Sequence, residues 1–345
     1  MAMTDLTLHL QSPSGPAYLA QPAIRWSETL NRWCVFSPEL IREAMRDRRF
    51  AVPSYDLTPL ERRFGIDLSL TRDVVERIPL AMEGERHRRQ RAEFARSIMA
   101  GSPAAQAAFE TRLIERLATL NALSAGATFC LVDDVLGPAS RAMISALVDI
   151  PIDAIGDVEK IPQTFDDSVS IKRRRDIDAL LRSIRAACPH ADPLHRLGTI
   201  MVSANTLLGS LVRSLADQLQ RNPGVGLAAI AWPRELPCTS LSLVEKTCLT
   251  DAVVGGVPMR EGDRLRLYVE AAGIDSEGGH MPSDLFFAVG PHRCVGMSLS
   301  VAIWNCLTRI LSGQKTAWTL VSQHVRPMDR VFNFPEKVVV VSHAC

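Results

Sequence analysis

The chain has 345 residues, enough to bury a sizeable core and, at roughly 150 residues per domain, to make two domains or one large one. Hydrophobic residues make up 47% and charged residues 22%, a composition that excludes long disorder, collagen-like repeats and a disulfide miniprotein. With 39 basic against 38 acidic residues the net charge is +1, so no global field recruits nucleic acid or an anionic membrane.

No apolar run reaches the roughly 18 residues of a membrane span. Residues 1–21 are mixed polar, with Pro13, Gly15 and Pro16, unlike the charged-then-apolar pattern of a signal peptide. These features predict a soluble, cytoplasmic protein with no membrane and no nucleic-acid partner. The eight cysteines are scattered singly, with no C-x-x-C, and in such a chain read as reduced thiols.

In chain order, a first long helix is predicted to start at a Ser102 cap with Pro103 at its first position. Phe109, Leu113, Leu117 and Leu120 keep helical spacing from there to about Leu123. Residues 151–162 and 187–193 read as interhelical loops. A second helix carries the stripe Leu197, Ile200, Met201, Ala204, Leu207, Leu208, Leu211, Leu215 and Leu219, and Asn222-Pro223-Gly224 stops it. Strand signals come late: residues 251–254, a Gly255-Gly256 turn, residues 264–269, and a final pair near 318–321 and 338–341. A third helix runs from Val295 to about Leu311 and is apolar nearly all round, so it should be buried on most sides. The pattern is mainly α with a small β part. Without repeats, low-complexity tracts or linkers, residues 1–345 read as a single domain.

Chemistry concentrates in Phe287-Ala288-Val289-Gly290-Pro291-His292-Arg293-Cys294-Val295-Gly296, directly before the third helix. Gly290-Pro291 reads as a turn, Cys294 stands at the helix N-terminus, and Gly296 lets backbone approach whatever the sulfur binds. A helix N-terminus lowers a thiol's pKa, and a thiolate is a nucleophile or a metal ligand. Upstream, His87 and Arg91 lie four apart, so on a helix they share one face and suit two anionic carboxylates. A zinc site from His280, His292, Cys294 and Cys306 is a competing metal reading, but it lacks the short paired ligands such sites favour.

The cysteine stretch resembles the haem-binding loop of the cytochrome P-450 haem-thiolate family, F-x-x-G-x-[HR]-x-C-x-G, with every fixed position filled. The His87–Arg91 spacing resembles that family's H-x-x-x-R helix. The resemblance implies a trimmed haem-thiolate fold covering most of the chain, with residues 38–50 like the first helices and the Leu197 helix crossing the distal haem face. It implies haem b, with Cys294 as proximal iron ligand and metal site, Phe287 beside the sulfur, Gly296 giving close approach, and His87, Arg91 and His292 on the propionates. Lys246 occupies a place often held by a propionate-binding arginine, and can supply the charge without the bidentate fork.

The chain departs from the family pattern elsewhere. Where A-G-x-[DE]-T is usual, Ser203-Ala204-Asn205-Thr206 stands: the acid is absent, and Thr206 and Asn205 are the nearest polar candidates for a catalytic role. In the E-x-x-R element Arg234 fits the arginine but Ala231 replaces the glutamate, and Ile274 stands at a third charge's position. Joint loss from a buried ionic network can be neutral, leaving Arg234 to reach solvent or another anion. The expected function is a cytochrome P-450-like oxidoreductase of the monooxygenase class. It would act on a small organic molecule in bacterial specialised metabolism, by hydroxylation or oxidative coupling or desaturation, with a ferredoxin or flavodoxin as electron donor. The alternatives are a peroxide-dependent or redox-neutral haem-thiolate enzyme and a non-catalytic haem-binding paralogue.

Overall fold

The computed structural model describes residues 22–53, 55–122, 126–165, 169–188, 190, 192–270, 282–325, 331 and 334–344. Residues 1–21, Leu123, Ile274 and His280, each used in the sequence reading, lie outside the described residues.

Strands β1 (Ile24–Ser27) and β2 (Arg32–Val35) precede α1 (Pro38–Arg46) and β3 (Phe50–Ala51). Helix α1 starts where Ser37 Oγ accepts the Leu40 amide, with Pro38 in the first turn, Glu39 at the positive end of the dipole and Arg46 at the negative end. Helices α2 (Thr58–Phe64) and α3 (Ser69–Val75) lead to α4 (Gly84–Asn121). After β4 (Thr128–Cys130) come α5 (Gly137–Val148), α6 (Ile152–Ile155), α7 (Ile171–Ala187) and α8 (Pro193–Arg221). The C-terminal third holds β5 (Val244–Cys248), β6 (Ala252–Val254), β7 (Val257–Met259) and β8 (Arg264–Leu267). Then follow α9 (Ser283–Phe286), α10 (Met297–Ser312), β9 (Thr316–Val325) and β10 (Pro335–Ala344).

One sheet has the order β1-β2-β8-β5-β3, a second β4-β10-β9, and β6-β7 stand as a hairpin. In the first, only β2 and β8 run parallel. Gly255 and Gly256, at φ +56° and +80°, make the hairpin turn, since two successive positive φ angles suit glycine. The strand after that turn is Val257–Met259, ahead of the predicted strand at 264–269: the short V-P-M segment gives little sequence signal, and Pro258 is tolerated in a two-stranded ribbon.

Helix α8 is the central element. Asp192 caps it, and its apolar stripe is joined by Gly198, Ser210, Ser214 and Gln218 in being buried, so protein surrounds it on nearly all sides. Helix α10 is likewise buried through Ile303, Trp304, Leu307 and Leu311. Two expectations are corrected. Helix α4 does not start at Ser102 but runs through it from Gly84: the Ser102 hydroxyl donates back to Ile98 O at 2.6 Å instead of capping. The amide that Pro103 lacks would have served Met99 O, on a residue 73% exposed, where water can take its place. Residues 151–162 are not plain loop but contain α6 and the start of a 3-10 segment, Val158–Phe165, whose Ile161 and Phe165 enter the core.

Arg234 is exposed. Buried charge is carried by other residues: Arg266 on β8 and Arg32 at the start of β2, one strand further away, both donate to Glu245 Oε1 on β5, at 2.5 and 2.7 Å. On α8, Arg213 pairs with buried Glu270 and donates to Thr239 O at 2.7 Å, which ties the helix to the segment leading into β5. Among the described residues no single helix is long and apolar enough to cross a membrane.

Candidate active site

The cysteine loop is built by backbone geometry. Ala288 and Gly290 take φ +58° and +76°, and a Cβ at Gly290 would stand 2.6 Å from Met45 O, so this position requires glycine both for its φ and for the close pass of α1. Gly290–His292 forms one 3-10 turn, the Arg293 amide donates to Gly290 O, and the Cys294 amide donates to Phe287 O at 2.7 Å. Cys294 thus precedes Gly296, the N-cap of α10, by two residues. A Cβ at Gly296 would lie 3.9 Å from Cys294 Sγ, so the missing side chain leaves the sulfur uncrowded on that side.

The thiol is accessible and lines a chamber of about 270 Å³. Desolvation by the surrounding protein raises its pKa, and the Gly296 amide and the Arg91 charge oppose this without reversing it. In the metal-free protein desolvation thus sets the direction, opposite to the lowering expected from a helix end. A coordinated metal reverses that balance, since a coordinating thiol is deprotonated outright.

Five cationic or potentially cationic groups reach the same chamber, one of them Arg293 of the cysteine loop. His87, on the first turns of α4, is 3% exposed and its ring lies 4.3 Å between centroids from that of His292, tilted by 42°; its Nε2 has no hydrogen-bond partner among the described residues. Desolvation, the His292 ring and the Arg91 charge push the His87 pKa down to about 4, against the pull of Glu83. Arg91, one turn further along α4, also lines the chamber, and desolvation lowers its pKa. Lys246, on β5, is buried, with only a long 3.4 Å bond from Nζ to Phe50 O among the described residues, and desolvation lowers its pKa too. His292 Nε2 lies 3.1 Å from Glu83 Oε1. Phe287 is buried on the same wall. The structure thus brings Cys294, His87, Arg91, Lys246, Phe287, His292 and Gly296 to one chamber, although the chain separates them by up to about two hundred residues.

Helix α8 forms another wall through Val202, Ser203, Thr206, Leu207 and Ser210. At 100° per residue these cluster on one face, and Asn205 projects from the other. Asn205 is accordingly buried away from the chamber lining, which corrects its expected placement beside Thr206 in the site. The Thr206 hydroxyl donates to Val202 O at 3.1 Å. Ser210, on the same wall, was not singled out from the sequence; its position four residues after Thr206, on the same helix face, is the signal that finds it. Glu83 was also missed as a site residue.

Cys306 lies along α10 beside Glu110 and Arg309, and among the described residues no group of three or more His, Cys, Asp or Glu is placed to hold a metal. The zinc reading has no assembled ligand set there. The donor set around Cys294 instead fits an iron porphyrin: one soft sulfur, several underused cationic donors for two carboxylates, and apolar walls.

No protein-family model matches the sequence, and no curated protein matches it. Solved structures match over nearly the whole chain. P450BioI, solved with an acyl carrier protein ligated to hexadec-9Z-enoic acid, has a TM-score of 0.74 at 16% identity, covering 97% of this chain and 99% of its own. The cytochrome P450 enzyme CYP109B1 from Bacillus subtilis has a TM-score of 0.72 at 15% identity, covering 96% and 100%. A structure described among unusual cytochrome P450-like monooxygenases of microbial secondary metabolism has a TM-score of 0.69 at 15% identity, covering 96% and 98%. The chain has the cytochrome P450 fold, mainly α with small sheets.

Proposed function

We propose that the protein is a haem-thiolate oxidoreductase of the monooxygenase class, with Cys294 as the iron ligand, acting on a small organic molecule. The observation that carries this reading is the meeting of an accessible Cys294 thiol with the underused donors of His87, Arg91 and Lys246 on one chamber. Bound there, haem b supplies the oxidation chemistry, and electron donation from a thiolate ligand favours O–O cleavage.

The chain's own residues do the rest. Cys294 would hold the metal as a thiolate, a form that the Gly296 amide and the Arg91 guanidinium favour. His87, Arg91, Lys246 and His292 would hold the two propionates by charge-assisted bonds. Leu241, Leu243 and Val244, with Tyr55 and Leu80, make an apolar wall that excludes water and orients a largely apolar substrate. Arg86, Arg88, Arg89 and Arg96 are exposed on α4, a positive face suited to steering an acidic ferredoxin or flavodoxin. Specialised metabolism is the setting we favour, because a structural neighbour with the same fold is described in that role.

A second reading has its own support. Thr206 stands on the α8 wall without a neighbouring carboxylate, and its hydroxyl is engaged by Val202 O. A reaction in which the substrate or water brings the proton, or in which peroxide serves as oxidant, suits that wall better than relay from an acid. Turnover with a reductase and ferredoxin, set against turnover with peroxide, separates the two: oxygen-labelled product from O₂ supports the first, and product only with peroxide supports the second. Failure of the purified chain to take up haem contradicts both.

A further inference from the structure

Glu83 uses its carboxylate in a way its position does not require. It is the N-cap of α4, with extended φ −130° and ψ 170°, yet its side chain caps no amide of that helix. Instead Oε1 accepts the Val52 backbone N–H at 2.8 Å and meets His292 Nε2 at 3.1 Å. The positive charge of Lys246 adds to the pull on the same carboxylate, and Lys246 itself reaches Phe50 O, two residues before Val52. A negative group of this protein therefore sits among the very cations assigned above to cofactor propionates.

Two consequences follow from elementary chemistry. The Nε2 of His292 carries one hydrogen at most, so while it donates to Glu83 it cannot donate fully to a second carboxylate. A propionate brought to His292 and Lys246 would also meet the Glu83 charge at short range, in surroundings less screening than bulk water. We infer that Glu83 is a competing carboxylate: it and a cofactor propionate contend for His292, so Glu83 stabilises the haem-free form and weakens haem retention. This rests on the haem reading. The opposite role is chemically reasonable and is the one to exclude: Glu83 could orient His292 from behind, as outer partners do for ligating histidines, and thereby strengthen retention.

The two roles give opposite signs. Glu83→Gln keeps the acceptor for the Val52 amide and for His292 but removes the charge. Glu83→Asp keeps the charge and withdraws it from His292 by one methylene. Transfer of ferric haem from the full-length protein to excess apomyoglobin is followed for each, together with the thermal midpoint of the haem-free form. Haem loss is expected to slow about three- to tenfold in Glu83→Gln and by less in Glu83→Asp, with the haem-free midpoint falling in both. Haem loss that is unchanged or faster in both variants, from a wild-type protein that binds haem normally, overturns the inference while leaving the haem reading intact. A wild-type protein that binds no haem overturns the haem reading itself, and this inference with it.

Discussion

The cysteine wall and the α8 wall of the chamber treat their polar groups in opposite ways. On the cysteine wall, among the described residues, His87 Nε2 is buried without a partner and Lys246 has a single long bond. On α8 each hydroxyl facing the chamber donates to a carbonyl one turn back in its own helix: Ser203 to Thr199, Thr206 to Val202, and Ser210 to Thr206. Desolvated donors without counter-charge are unfavourable until an anion completes them, whereas satisfied hydroxyls demand nothing of a ligand. Holding a charged cofactor and handling a substrate are thus assigned to separate surfaces, and only the first is strongly specified.

The largest expected effect breaks the cysteine wall at its turn. Gly290→Ala places a Cβ 2.6 Å from Met45 O at φ +76°. It should lower stability by about 2–4 kcal/mol, read by denaturant unfolding. Gly224→Ala, at φ +73° with nothing within 4 Å, lacks the clash and should cost only about 1 kcal/mol. Equal losses would mean that close approach to α1 does not shape the loop.

Next, His87→Leu and Arg91→Leu should each weaken haem affinity by about tenfold or more through loss of a charge-assisted bond, while Arg86→Leu should leave it unchanged. Arg86 already donates to Glu76 O at 2.7 Å on the outer face of α4. Arg91→Leu sharpens the contrast, because removing a desolvated cation should leave the haem-free protein as stable as before or more so. A fall in both haem affinity and haem-free stability would make Arg91 a structural residue.

A pH effect of intermediate size follows from His87. Its folded pKa is about 4, below the ordinary 6.5, because burial and the neighbouring His292, Arg91 and Lys246 outweigh the attraction of Glu83. Between these values the unfolded chain binds more protons than the folded one, so the haem-free protein should lose stability as pH falls from about 6.5 to about 4. His87→Gln should flatten that segment of the melting-temperature profile. An unchanged slope would assign the loss to other groups.

The smallest effect is expected on α8. Thr206→Val removes a hydroxyl engaged by Val202 O and should change product yield per electron only within about a few-fold. Severe diversion of electrons to peroxide in that variant, with oxygen from O₂ in the wild-type product, would instead give Thr206 a role in proton delivery.

The parts legible in the sequence are those whose signals are local. Helix α8 announces itself through a long apolar stripe and α10 through apolar residues on almost every face, and the cysteine loop lies within ten consecutive positions. The start of α4 was hidden because Ser102-Pro103 has the form of a cap, and only the exposure of Met99 shows why a helix can run through it. Glu83 was hidden for a different reason: its partners lie 31 and 209 residues away, so no spacing rule connects them. The thiol of Cys294 shows a third kind of gap, since sequence reveals the nearby helix end but not the desolvation that sets the direction of its pKa shift. Asn205, by contrast, could have been placed on the far face of α8 from helical phase alone.

The most direct measurement is the absorption spectrum of the reduced protein under carbon monoxide, for wild type, Cys294→Ser and Cys306→Ser. Thiolate ligation by Cys294 requires the red-shifted Soret band in wild type and in Cys306→Ser, whose sulfur lies beside Glu110 well along α10, and its loss in Cys294→Ser. A band retained in Cys294→Ser, or absent from the wild-type protein reconstituted with haem, would show that Cys294 is not the iron ligand.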